Sequence, residues 1–133
     1  MEEALIARLL AADALAALVS RRINWSVRPQ GSALPALVLT LVNGRRLYAF
    51  DGPVNLVESR VQADAYAADY LTAKTIVRAV VADLGGQRFT LGGVEFQDVF
   101  VDAERDFFEG EDPDRLFRIM LDLRVWHTEP PQA

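Results

Sequence analysis

Asp98, Asp102, Glu104 and Asp106 are the side chains whose type and spacing come nearest to reactive chemistry. On a strand, such even spacing puts all four carboxylates on one face. Clustered carboxylates are the raw material of a divalent-cation site for phosphodiester hydrolysis. The fit to that chemistry is poor. Magnesium usually takes one or two protein carboxylates and keeps several waters. A nuclease also supplies basic side chains to hold phosphate, and the same alternation turns Arg105 to the opposite side. A solvated strand edge and loop is the better reading of these acids. His127 is the single histidine of the chain, so there is no paired-histidine metal site and no helical HExxH. Its place at a strand end predicts a surface histidine. The chain holds no serine nucleophile elbow, no GxxxxGK[ST] and no GxGxxG. Gly85-Gly86 and Gly92-Gly93 read as a helix stop and a turn, and Phe107-Phe108 as packing. No catalytic, cofactor-binding or metal-binding residue is assigned, no cofactor is expected, and the chain reads as a non-enzyme.

The elements that carry these residues follow from periodicity. Leu5, Ile6, Leu9, Leu10, Leu15, Leu18 and Val19 keep the spacing of one buried helical face over 3–19. Asp13 is placed to cap internally and break that helix in two. Arg28-Pro29-Gln30-Gly31 with Pro35 makes an ordered turn. The apolar run 36–42 predicts a central strand, and 43–56, with Asn43-Gly44 and Asp51-Gly52-Pro53, an exposed loop or loose hairpin. From Arg60 to Ala67 the pattern alternates cleanly, with Val61, Ala63, Ala65 and Ala67 facing inward. Small alanines there leave room for a helix, read at 70–84 with Asp69 as N-cap and Gly85-Gly86 permitting a left-handed stop. Gln87–Leu91 and Val94–Gln97 form a hairpin about Gly92-Gly93, followed by a strand over Val99–Phe107 and a loop at 109–113. In the last strand, Leu116–Trp126, Phe117, Ile119, Leu121, Leu123 and Val125 share one face. Arg118, exposed Met120, Asp122, Arg124 and exposed Trp126 share the other, a mixture resembling an interface core with a polar rim. The fold class is α+β: a mostly antiparallel sheet of four to five strands with two main helices packed on one face. Residues 1–127 form a single domain and 128–133 a disordered tail.

The 133-residue chain suffices for one core, and no apolar stretch approaches the roughly 18 residues of a membrane span. Acidic residues at Glu2 and Glu3 argue against an export signal. The absence of cysteine removes disulfides, thiolate metal sites and cysteine nucleophiles, so cytoplasmic synthesis is expected. A net charge of −5 disfavours a duplex-binding surface. Residues 1–97 hold ten basic and nine acidic side chains, whereas 98–114 hold eight acids against Arg105 alone.

Four segments in order carry a family resemblance: LAALVSRRI at 15–23, PQGSALPALVL at 29–39, RVQADAYAADYLTAKTIVRAVVADL at 60–84 and RIMLDLRVWH at 118–127. Together they make the chain similar to the phage tail completion proteins, also called tail terminators or head-to-tail joining proteins. The resemblance implies a structural virion protein: a homohexameric ring seated on the last ring of tail-tube protein, stopping tube growth and meeting the head connector. DNA would pass through its central channel without specific binding. It transfers no catalytic residues. The expected location is the head-tail interface of the virion, after assembly in host cytoplasm. A neck adaptor or assembly chaperone, and an enzyme with a cryptic acidic site, are the alternatives. Within the ring reading, the acids of 98–114 either face the channel or pair with arginines such as Arg118 and Arg124, on the adjacent strand or across a subunit boundary.

Overall fold

The computed structural model describes residues 1–27, 33–49, 52–110 and 115–128. The expected turn at 28–31, Asp51, most of the loop after Glu109 and residues 129–133 lie outside them. Helix α1 (Glu2–Leu10) and helix α2 (Asp13–Val19) divide where expected, though not by the expected cap. Ala12 is the N-cap and no side chain caps the helix. Asp13 is instead the first helical residue, where its charge faces the positive end of the helix dipole.

Six strands form one sheet: β1 (Ile23–Trp25), β2 (Ala36–Ala49), β3 (Gly52–Ala67), β4 (Phe89–Leu91), β5 (Val94–Glu109) and β6 (Leu116–Thr128). Their spatial order is β1-β2-β3-β6-β5-β4, parallel between β1 and β2 and antiparallel elsewhere. The segment 43–56 is the far half of a long β2–β3 hairpin, paired from Ala36↔Tyr66 to Ala49↔Gly52. Most of β2 beyond Thr40 is exposed, so the twofold hydrophobic signal of a half-buried strand is absent there. The two strands expected over 94–107 are one, β5, with Gln97 and Asp102 as extra residues against β6. Thr128 closes β6.

Helix α3 (Tyr70–Leu84) starts as the sequence requires. The Asp69 carboxylate accepts from the Thr72 backbone N–H at 3.0 Å, an N-cap worth about 1 kcal/mol. Its buried stripe of Ile76, Val77, Val80 and Leu84 shares one core with Val61, Ala63, Ala65 and Ala67 of β3 and Ile119, Leu121, Leu123 and Val125 of β6. Leu5, Leu9, Leu15 and Val19 bring α1 and α2 into the same core. Three helices therefore cover one face of a six-stranded sheet, where two main helices and four to five strands were expected. At the end of α3 only Gly86 is left-handed, at φ 69°. Gly85 has φ −61° and is required by closeness, since a Cβ there would stand 2.7 Å from the Val81 carbonyl oxygen. Gly92 and Gly93, at φ 59° and 78°, turn β4 into β5 in the double left-handed geometry of a tight hairpin.

Candidate interaction surface

The face of the sheet away from the helices carries alternate residues of β3 and β6, held in register as Arg60↔Arg124, Gln62↔Asp122, Asp64↔Met120 and Tyr66↔Arg118. Charges there are cross-linked between strands. Arg60 donates to Asp122 at 2.9 Å and lies 3.9 Å from Asp102, which also takes Arg124 at 3.4 Å. Arg118 approaches Asp64 at 3.4 Å, and Gln62 donates to the same carboxylate at 2.9 Å. Asp64 is 4% exposed. Burial raises its carboxyl above the usual range, against the opposing Gln62 hydrogen bond and Arg118 charge. The arginines also lie over aromatic rings of β5, Arg118 at 4.5 Å from the Phe107 centroid and Arg124 at 4.8 Å from Phe100. The half-exposed Arg60–Asp122 and Arg124–Asp102 pairs contribute roughly 0–1 kcal/mol each. Their main effect is to fix long side chains in place across an otherwise open face. Met120 and Trp126, expected to be exposed, are half-buried among them.

The four evenly spaced acids do not share this face. The extra residue at Asp102 resets the alternation of β5. Asp98 and Asp102 stay on the open face, while Glu104 and Asp106 turn to the helix side. There Lys74 pairs with Glu104, and Tyr70 donates to Asp106 at 3.0 Å. The Asp106 hydrogen bond is the main cause that raises the Tyr70 hydroxyl, and the Glu104 hydrogen bond the main cause that raises the Lys74 ammonium. Asp98 accepts from the Val99 N–H at 2.9 Å. Among the described residues no cluster of three or more His, Cys, Asp or Glu side chains is arranged to hold a metal. Chain-neighbour spacing suggested a carboxylate cluster, and one inserted residue disperses it.

His127 is not on the surface: it is 2% exposed. The alternation that buries Leu121, Leu123 and Val125 continues one step further and carries it inward. Its Nδ1 lies 3.1 Å from the Thr128 carbonyl, and its Nε2 lies 2.8 Å from Ser59 Oγ. With Nδ1 donating to the carbonyl, Nε2 is left to accept from the hydroxyl. Ser59 is itself 3% exposed, so the pair ties β3 to β6 inside the fold. Across the sheet, Trp126 lines an open-face groove of about 560 Å³ with Leu56, Arg88, Asp98 and Phe100.

A second surface was not anticipated. Tyr70 and Leu71, at the start of α3, are 41% and 63% exposed. Tyr70 is linked to Phe108, 66% exposed, through the half-buried ring of Phe117, whose centroid is 6.0 Å from Tyr70 and 6.1 Å from Phe108. The sequence signal was available: Leu71 falls off the buried stripe of α3, and Phe108 and Phe117 face each other across the β5–β6 ladder.

A chain in the virion of a native gene transfer agent (GTA) particle is 21% identical to this one. It superposes with a TM-score of 0.76 over 97% of this chain and 95% of that chain. A second solved structure, 15% identical, gives a TM-score of 0.55 with 99% of each chain covered. At such identities these likenesses establish the fold. No curated protein matches. The family model of tail completion protein gp17 matches residues 3–128, a span containing all three helices and all six strands. The chain belongs to the tail completion protein gp17 family.

Proposed function

We propose that this chain ends the phage tail tube and joins it to the head connector as a homohexameric ring with a central DNA channel. The family match over residues 3–128 carries the reading. The surface is consistent with it: charged ladders, a Trp126 groove and an exposed apolar end suit contacts with copies of itself, with tail-tube protein and with the connector. DNA would pass without specific binding, as an acidic chain of net charge −5 favours. The protein would reside at the head-tail interface of the virion after assembly in host cytoplasm, without a membrane partner, and residues 1–127 would act as one domain. Deleting the gene tests this. Electron microscopy of the lysate is expected to show filled heads apart from tails of uncontrolled length. Normal joined particles would rule the role out.

A further inference from the structure

The sheet ends in two edges that are covered over short and opposite stretches. Strand β1 pairs with β2 at Leu37–Leu39, and β4 with β5 at Val94–Phe96. The Gly86 N–H caps the Val99 carbonyl at 2.8 Å. Among the described residues, no strand covers the outer edge of β2 from Thr40 to Ala49 or of β5 from Phe100 to Glu109. Long open edges of this kind template pairing with another chain. Neither stretch contains proline.

The two edges complement each other. The β2 stretch carries Arg45 and Arg46 and no acid, while the β5 stretch carries Asp102, Glu104, Asp106 and Glu109 against Arg105. Both bear exposed apolar side chains, Val42 and Tyr48 on one and Phe107 and Phe108 on the other. Direction agrees as well. Three antiparallel ladders separate β2 from β5, so the two strands run oppositely. Rotation of one copy into the next about a ring axis would therefore set β2 beside β5 in the antiparallel sense.

Stagger supports the same contact. Followed across the sheet, the registers set Leu39 level with Glu104. Full overlap of the open stretches then needs a slip of about six residues, roughly 20 Å at about 3.3 Å per residue. Spread over four strand spacings of about 4.8 Å, that slip is a strand tilt of about 45°, close to the tilt of closed sheets. The bulges at Val42 and Asp102 add the twist and bend that closure requires.

We propose that the Thr40–Ala49 edge of one copy pairs with the Phe100–Glu109 edge of the next, a heterologous contact that extends the sheet from subunit to subunit. This rests on the ring reading above and names the contact that builds it. The partner is a second copy of this chain because both halves of the contact are on one molecule.

The full chain, which has no cysteine, gives a direct test. Val42→Cys with Phe107→Cys puts one thiol on each edge, and oxidation is expected to give a ladder of disulfide-linked oligomers. Either single variant stops at the dimer. Charge exchange gives a second readout. Arg45→Glu with Arg46→Glu makes both edges acidic, and Glu104→Arg with Asp106→Arg makes both basic. Each double variant, shown folded by circular dichroism, should self-associate at least about tenfold more weakly. An equimolar mixture should recover assembly, with the two kinds alternating. Wild-type rings seen by electron microscopy, with neither ladder nor recovery, would overturn the edge contact and leave the ring standing. A wild-type chain that forms no ring, alone or on tail tubes, would overturn both.

Discussion

Trp126 is half-buried in a groove shared with Leu56 and Phe100, and tryptophans in such settings dominate protein interfaces. Trp126→Ala is expected to weaken ring assembly by about 1–3 kcal/mol, measured by tail joining, with the circular dichroism of the monomer unchanged. A variant that joins tails normally removes Trp126 from the contact. Asp64 provides a pH-dependent test. Its raised carboxyl binds a proton more readily folded than unfolded, so its effect on stability is most favourable below the unfolded value of 3.8 and is lost as pH rises through the folded value. Asp64→Asn mimics the protonated form. Thermal melts should show the variant gaining on wild type as pH climbs through the carboxylate range, the difference closing in acid; a pH-independent difference would contradict the raised value. These single residues were unequally legible. The outward position of Trp126 followed from alternation. His127 followed the same alternation inward, but its closeness to the prolines after it suggested a strand end at the surface. Ser59, its partner, is 68 positions away and no local pattern connects them.

At the scale of elements, the two glycines after α3 act for different reasons and should respond differently. Gly85→Ala would drive a methyl to 2.7 Å from the Val81 carbonyl, a backbone clash expected to cost about 1–3 kcal/mol. Gly86→Ala has open space and only the left-handed penalty of about 1–2 kcal/mol. Denaturant titration of both variants should show the larger loss at Gly85; the reverse order would mean that conformation outweighs contact there. Helix α3, its Asp69 cap and the Gly92-Gly93 hairpin were legible because each is written within a few consecutive residues. Strand β1 was not, since its three residues gain regularity only from β2. The segment 43–56 was legible only as an exposed loop or loose hairpin because side chains exposed on both faces of outer β2 erase the period of two there, while the backbone ladder that defines the hairpin leaves no mark in composition.

For the whole molecule, the acids of 98–109 distinguish channel from contact. Asp102, Glu104 and Asp106 all find partners inside the subunit, with Arg124 and Arg60, Lys74 and Tyr70. The adjacent-strand pairing considered from sequence is thus present for Arg124, while Arg118 goes to Asp64. Asp102→Asn, Glu104→Gln and Asp106→Asn together are expected to impair assembly with no gain in DNA affinity, read by native mass spectrometry and salt-dependent DNA binding. Intact rings that acquire DNA affinity and eject DNA slowly would place these acids in the channel instead.

The bulges of β5 also bear on which lengths the chain tolerates. Gln97 and Asp102 are supernumerary against β6, so Val101↔Leu123 and Ala103↔Asp122 remain neighbouring pairs whether or not Asp102 stands between them. Removing Asp102 outright should straighten the strand without turning any other side chain over, and should cost about what Asp102→Ala costs. Strand β6 pairs on both sides and carries no spare residue. Excising Leu121 from it would rotate Leu123 and Val125 out of the core or shift the ladders with β3 and β5 by one step, and such a protein should fail to melt cooperatively. Among relatives, single-residue gaps should therefore fall at Gln97 and Asp102 and spare the interior of β6.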